Sequence, residues 1–347
     1  PTRVVDLFSS VGGLSLGASH AARSAGLTPQ VVFAADVDQD ALRVLKHNFP
    51  SAHTFLGSVR QLAEFRVRGE AATARFSFEP ELADATLAEL AGKVDIVVAG
   101  PPCQGHSSLN NHSRYDDPRN SLYLTVPAVA QALGAETVVI ENVPNVVRDK
   151  SGVVAAAHSL LKNAGYRVVQ GTLDASRLGW PQTRKRFFMI ASRRVEPIEL
   201  TGFARRHRRS ALPMSWAIDD LINEYVDGDI FRSTPTLSSD NQKRIDLLFD
   251  QDIYNLPNEV RPECHQGGTT YTSSYGRMRW DQPSPTITGG CINPSKGRFL
   301  HPTQNRAITL REAALLQGFP RKYSFSLSSG VYSAAQMIGN AFPPEFA

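Results

Sequence analysis

Between residues 1 and about 193, short apolar runs alternate with stretches of helical spacing, and this alternation restricts the fold more than any other feature of the chain. RVVDLF (3–8), QVVFAAD (30–36), KVDIVVAG (93–100), TVVIENV (137–143), YRVVQGTL (166–173) and KRFFMIAS (185–192) read as strands. Strands that are apolar throughout are expected where helices cover both faces of a sheet. A small-residue helical segment runs to Gly26, DQDALRVLKHNF (38–49) has helical spacing, and ELADATLAELAG (81–92) reads as partly helical. The pattern predicts a doubly wound α/β domain. The stretch 60–92 carries no assignable chemistry.

After about residue 195 the alternation stops. Residues 196–305 are rich in Pro, Gly, Ser, Thr and Arg, with short β-like pieces such as PSPTITGG (283–290), and read as a separate loop-rich module. Regular patterning returns in TLREAALLQGF (309–319), an amphipathic helix, and in AAQMIGNAF (334–342). The predicted divisions are therefore 1–194, an inserted 195–305, and 306–347 returning to the first domain. A chain of 347 residues can bury a sizeable core without disulfides or a metal. No apolar run approaches the ~18 residues of a membrane span, and the first residues carry no signal-peptide pattern. The three cysteines, Cys103, Cys264 and Cys291, lack CxxC spacing, which argues against a zinc site and a disulfide framework and for a reducing cytosol. The net charge is only +4, but RKR (184–186) and ARRHRR (204–209) gather basic residues. Such clusters suit phosphate backbones or a solvated face, and charge alone favours the solvated face.

Three strand ends hold residues that could carry chemistry. DLFSSVGGLSLG (6–17) runs from a strand through Gly12 and Gly13 into a helix, the way α/β domains bring backbone amides close to a nucleotide-like ligand. It matches neither GxGxxG nor a P-loop, and a tight packing turn would read the same way. Asp36 ends the second run, where a carboxylate can accept both hydroxyls of a ribose; a helix N-cap is the other reading, and Asp38 is the better cap. In VVAGPPCQGHSS (97–108), Cys103 falls just past a strand end behind two prolines that restrict the backbone. Read alone, it fits an inert thiol as well as a nucleophile. Glu141 and Asn142 close an apolar run, where a carboxylate is costly unless paired or used; the pairing partner would be Arg184 or Arg186. A cysteine, a carboxylate and arginines aimed at one sheet edge form a coherent site.

In this order, DLFSSVGGLSLG, GPPCQGHS, ENV, QTRKRFF, REAALLQGFP and GNAFPP closely resemble the DNA (cytosine-5)-methyltransferases, of the bacterial modification type, over about residues 3–344 outside the variable middle. The resemblance implies a Rossmann-like, S-adenosylmethionine-dependent methyltransferase fold with a small inserted target-recognition domain. It implies S-adenosyl-L-methionine as methyl donor, S-adenosyl-L-homocysteine as product, and no metal. Phe8, Gly12 and Gly13 would border the cofactor, Asp36 would take its ribose and Val37 its adenine. Ser58, followed by Val59, stands where the family usually has an acidic residue for the adenine amino group; Pro102, Leu122 and Asn340 match positions near the cofactor.

The same resemblance makes Cys103 the thiolate that adds to cytosine C6 and Glu141 the group that binds N3 and the exocyclic amine. Arg186 would hold O2, and Arg184 would contact a phosphate or a loop. The target base must leave the stack, and QGHSSLNNHSRYDDPRN (104–120), with Gln104 and Ser107, would close over it. Arg277, Arg279, Thr286 and Lys296 would contact DNA from the recognition domain; phosphate contact or solvation are the alternatives for the three basic residues. Double-stranded DNA is thus the implied partner, alongside a cognate restriction endonuclease. The implied protein is a monomer in the bacterial cytosol, associated with the nucleoid through DNA and with no membrane. Competing readings are a cytosine-5 methyltransferase acting on tRNA and a catalytically silent DNA-binding homologue.

Overall fold

The apolar runs form one seven-stranded sheet in a computed structural model that describes residues 1–102, 122–266, 273–325 and 329–347. Its strands are β1 (Thr2–Leu7), β2 (Pro29–Asp36), β3 (His53–Leu56), β4 (Ile96–Ala99), β5 (Thr137–Asn142), β6 (Arg167–Asp174) and β7 (Lys185–Ser192). Their order is β6-β7-β5-β4-β1-β2-β3. All neighbours are parallel except β7, which is antiparallel to both β5 and β6. Helices α1 (Gly13–Ser24), α2 (Gln39–Asn48), α3 (Ala85–Ala88), α4 (Thr125–Leu133), α5 (Val153–Asn163) and α6 (Leu200–Arg206) accompany it. Side chains such as Leu7, Phe33, Val97, Val138, Ile140 and Met189 are wholly buried. Each contributes roughly 1.5–3 kcal/mol of apolar burial. The expected α/β class is therefore the observed one.

The divisions of the chain differ from those expected. One compact unit comprises Pro1–Asp174, Lys185–Arg208 and Phe342–Ala347; the other comprises Ala175–Arg184 and Arg209–Ala341. The segment 306–341, expected to return to the first domain, belongs to the second unit, and only the last six residues return. The second unit contains α7 (Ser215–Ile218), α8 (Ser239–Asp250), α9 (Leu310–Leu316) and α10 (Val331–Asn340). α10 is held there by close backbone approach: a Cβ on Gly339 would stand 2.0 Å from the nitrogen of Gly289. Gln317 after α9 donates to the carbonyls of Ile338 and Ala341 at 2.9 and 2.8 Å.

The β-like piece PSPTITGG forms no ladder. Pro283 and Pro285 offer no N–H, so only Ser284 bridges to Gln182, and the Thr286 hydroxyl donates to the Thr183 carbonyl at 2.5 Å. Helix α8 lies within the region read as loop-rich. Ser238 caps it by accepting from the Asn241 N–H, and Ile245 and Leu248 are its buried residues. In the first unit, the stretch 60–92 folds into two short antiparallel pairings, Ala63–Glu64 with Glu81–Leu82 and Val67–Arg68 with Arg75–Phe76. Ser159 on α5 ties that stretch down through the carbonyls of Ala72 and Ala74.

Candidate functional site

Strand order reverses between β1 and β4, because the chain builds β1-β2-β3 outward on one side before starting β4 on the other. In open α/β sheets ligands bind outside the carboxyl ends of the strands at such a point. The register carries the site residues there in one row. Leu7 pairs with Ala35 and with Ala99, and Ala99 pairs with Ile140. The next residues along these strands are therefore Phe8, Asp36, Gly100 and Glu141.

The turn after β1 is strained. Phe8 and Ser10 have φ of 59° and 47°, and Gly12, the N-cap of α1, has φ of 86°. Each non-glycine residue held there costs about 1–2 kcal/mol, a kind of strain that gathers at ligand sites. The bend is fixed by Ser9 N–H donating to the Ala35 carbonyl and Ser10 N–H donating to Asp36 Oδ2 at 2.7 Å. Gly12 supplies the left-handed conformation. Gly13 instead makes room for the Phe342 carbonyl, which a Cβ would meet at 2.2 Å.

Asp36 also accepts from Asp38 N–H through Oδ1 at 3.0 Å, and burial raises its carboxyl above the usual range. Asp38 caps α2, accepting from Asp40 and Ala41 N–H, as the sequence led us to expect. Beside Asp36, Val37 leaves an apolar side chain 72% exposed. A hydrogen-bonding carboxylate next to an exposed aliphatic surface and a strained aromatic turn fits a nucleoside. The Ser58 hydroxyl accepts from Arg60 N–H in a capping box with Gln61. Val59 is buried behind it, while Pro102 and Leu122 are half-buried. Asn340, exposed at the end of α10, belongs to the second unit.

Glu141 and Arg186 form an ion pair at 2.8 Å, with side chains only 12% and 16% exposed. The sheet register brings them together. Glu141 is directly opposite Phe188 on β7, so Arg186, two residues earlier, is its diagonal neighbour on the same face. A Cβ on Gly100 would lie 3.5 Å from Glu141 Oε2, so the carboxylate stands over the glycine that leads into Pro101 and Pro102. Asn142 is buried and donates from Nδ2 to the Pro101 carbonyl at 3.3 Å, bracing that shoulder from β5. Cys103, Gln104 and Ser107 lie outside the described residues, as does the rest of 104–120. Of the two described cysteines, Cys264 is exposed and Cys291 is buried, its thiol pushed up to about 12 by burial, which leaves Cys291 unsuited to nucleophilic attack.

Arg184, 3% exposed, donates to the carbonyls of Ile287 and Ala341 at 3.2 and 3.3 Å within the second unit. Both carbonyls belong to loop or helix-end backbone of that unit. Arg277 departs further from expectation. It is 6% exposed, donates to the carbonyls of Pro302 and Leu248, pairs with Asp252 at 3.0 Å and packs on the rings of Phe249 and Tyr254. Those interactions engage all three of its side-chain nitrogens inside the unit. Arg279 and Lys296 are exposed, and Thr286 is half-buried.

Two residues of the first unit were missed from sequence. Asp6 is wholly buried in β1 and accepts from the Ser15 hydroxyl at 2.6 Å, while its Oδ1 has no hydrogen-bond partner among the described residues. Burial raises its carboxyl to about 7. The signal was present as a lone acid inside RVVDLF. Tyr123 is buried with no partner for its hydroxyl among the described residues; burial and then the Glu141 charge push its phenol upward. No sequence signal marks it.

Parallel strands that place a strained glycine-containing turn and a paired carboxylate on one edge make this an α/β protein with a candidate ligand site at its switch point. The pattern of the family described as C-5 cytosine-specific DNA methylase matches residues 2–347. The chain is 40% identical over 343 residues to the Type II methyltransferase M1.BsuMI of Bacillus subtilis (strain 168), covering 98% of this chain and 77% of that protein. It is 32% identical over 256 residues to the Type II methylase M.HgiDII of Herpetosiphon aurantiacus, covering 72% of each. A solved structure of a prophage-encoded DNA modification methyltransferase (E. coli) superposes with a TM-score of 0.64 at 22% identity, covering 99% of this chain and 96% of that one. The chain belongs to the C-5 cytosine-specific DNA methylases and is a DNA (cytosine-5-)-methyltransferase. Among the described residues no helix is long and apolar enough to cross a membrane, and no group of three His, Cys, Asp or Glu could hold a metal ion.

Proposed function

We propose that the chain methylates C5 of a cytosine flipped out of a short, specific double-stranded DNA sequence, through a covalent bond from Cys103 to C6. The observation that carries this reading is the Glu141–Arg186 pair, set over Gly100 at the carboxyl edge, one step from the Pro-Pro shoulder. Bound S-adenosyl-L-methionine supplies an electrophilic methyl group and leaves as S-adenosyl-L-homocysteine. Phe8, Asp36 and Val37 are the residues that would hold it, the carboxylate accepting from ribose hydroxyls and the valine covering the adenine.

Cys103 adds as thiolate to C6, which moves electron density to C5 and makes that carbon nucleophilic. Glu141 accepts from the exocyclic amine through one carboxyl oxygen and, protonated, donates from the other to N3, stabilising the negative charge that the ring gains as the thiolate adds. Arg186, held by the same carboxylate, binds O2. After C5 accepts the methyl group, a water molecule takes the C5 proton and the Cys103–C6 bond breaks, restoring the aromatic ring and the thiolate. Arg184 holds the Ile287 loop of the second unit. Arg279, Thr286 and Lys296 remain the DNA-contact candidates of the second unit. A cognate endonuclease and a monomeric state belong to the same reading.

Duplex DNA carrying 5-fluorocytosine blocks loss of the C5 substituent, so the wild-type chain should form a covalent adduct stable to denaturing electrophoresis. Cys103→Ala should form none. Absence of an adduct on DNA that the wild type methylates overturns the covalent route, and methyl transfer to tRNA alone overturns the substrate.

A further inference from the structure

The second unit contains a cleft of about 270 Å³ whose polar lining is Tyr254, Asn255, Arg279, Gln282 and Arg298, with no acidic residue among the described residues of its wall. Arg279 is exposed and its guanidinium lies 3.9 Å from the centre of the Tyr254 ring. Among the described residues its guanidinium has neither a carboxylate partner nor a hydrogen bond. Stacking therefore orients a planar fork whose donors are unspent, the arrangement suited to bidentate recognition of an oxyanion.

Arg298 fixes a second positive charge in the same wall. Its Nη1 donates to the carbonyls of Tyr254 and Arg277, both at 2.9 Å, and its Nη2 donates to the side chain of Asn255. Partial burial, then the neighbouring charges of Arg279 and Arg261, pull its guanidinium below the usual value. Two fixed like charges beside a cleft without an acid are relieved by an anion. A guanine edge would satisfy the Arg279 fork but, being neutral, would leave the repulsion in place.

We propose that this cleft receives one backbone phosphate of the DNA duplex, gripped by Arg279 stacked on Tyr254, with Arg298 as the fixed second charge. The assignment rests on the reading of duplex DNA as substrate and adds a sequence-independent anchor to it. It separates Arg279 from Arg277, which is buried and whose three side-chain nitrogens are each engaged inside the unit.

The test uses the full chain and short duplexes of unrelated sequence, with binding followed by fluorescence anisotropy between about 50 and 200 mM salt. Arg279→Gln should weaken binding roughly tenfold on every duplex and reduce the slope of log K against log salt by about one. Arg279→Lys should keep the slope, because the charge remains, while losing part of the affinity with the fork. A wild-type slope in Arg279→Gln, or a loss confined to one sequence, overturns the phosphate assignment while wild-type methylation of DNA leaves the enzyme reading intact. Failure of the wild type to bind or methylate any duplex overturns the substrate reading, and the cleft assignment with it.

Discussion

Replacing Asp6 by Asn should remove a large pH-dependent component of stability. Asp6 is wholly buried, and burial raises its carboxyl from 3.8 to about 7. Between those values the folded chain holds one proton more than the unfolded chain, so stability falls as pH rises through the window. Each unit of difference is worth about 1.4 kcal/mol, which gives a loss on the order of 4 kcal/mol between pH ~4 and pH ~7. An asparagine oxygen can still accept from the Ser15 hydroxyl, but its amide N–H groups then meet the site where Oδ1 lacks a partner. That costs about 1–3 kcal/mol at every pH.

Asp6→Asn should therefore be the less stable protein near pH 4 and draw level with or overtake the wild type by pH 8. Urea unfolding of both proteins across this range measures the difference. Taking the difference matters because His301 opposes the trend: burial pulls its imidazole down to about 4, so its contribution is lost as pH falls from about 6.5. Parallel stability curves for wild type and Asp6→Asn would refute the argument that Asp6 takes up a proton on folding.

Gly13→Ala should destabilise the first unit by about 1–3 kcal/mol or more, because its Cβ would meet the Phe342 carbonyl at 2.2 Å; thermal unfolding reads the loss. Glu141→Gln should lower methyl transfer about 10²–10⁴-fold, and single-turnover kinetics with cognate DNA measure it. Because Arg186 would then keep a poorly compensated charge with a side chain only 16% exposed, the same variant should also lose stability in urea.

The doubly wound fold was legible because its evidence is local. Apolar runs such as QVVFAAD and KRFFMIAS have one stable destination, between two layers of helix. β3 escaped notice because HTFL is four residues long and mostly exposed or half-buried, so it carries no apolar signature. α8 was hidden because only Ile245 and Leu248 of its twelve residues are buried. The division at 306 failed for another reason. Helical patterning in 309–319 announces a helix, but what the helix packs on depends on contacts such as Gly339 against Gly289, which no local pattern records.

The sequence by itself determined the strand ends, the glycine turn, the Asp38 cap and the presence of Glu141 at a sheet edge. It left Arg184 and Arg186 as equal partners for that carboxylate, and it treated Arg277 and Arg279 alike. Tertiary structure separated both pairs. The antiparallel register of β7 on β5 sets Arg186 diagonally beside Glu141, while Arg184, two residues earlier, is buried against the carbonyls of Ile287 and Ala341. Arg277 is buried with each side-chain nitrogen engaged, and Arg279 stands exposed on Tyr254. Residue type sets what an arginine can bind; burial and register, which depend on distant segments of chain, decide whether its donors remain available.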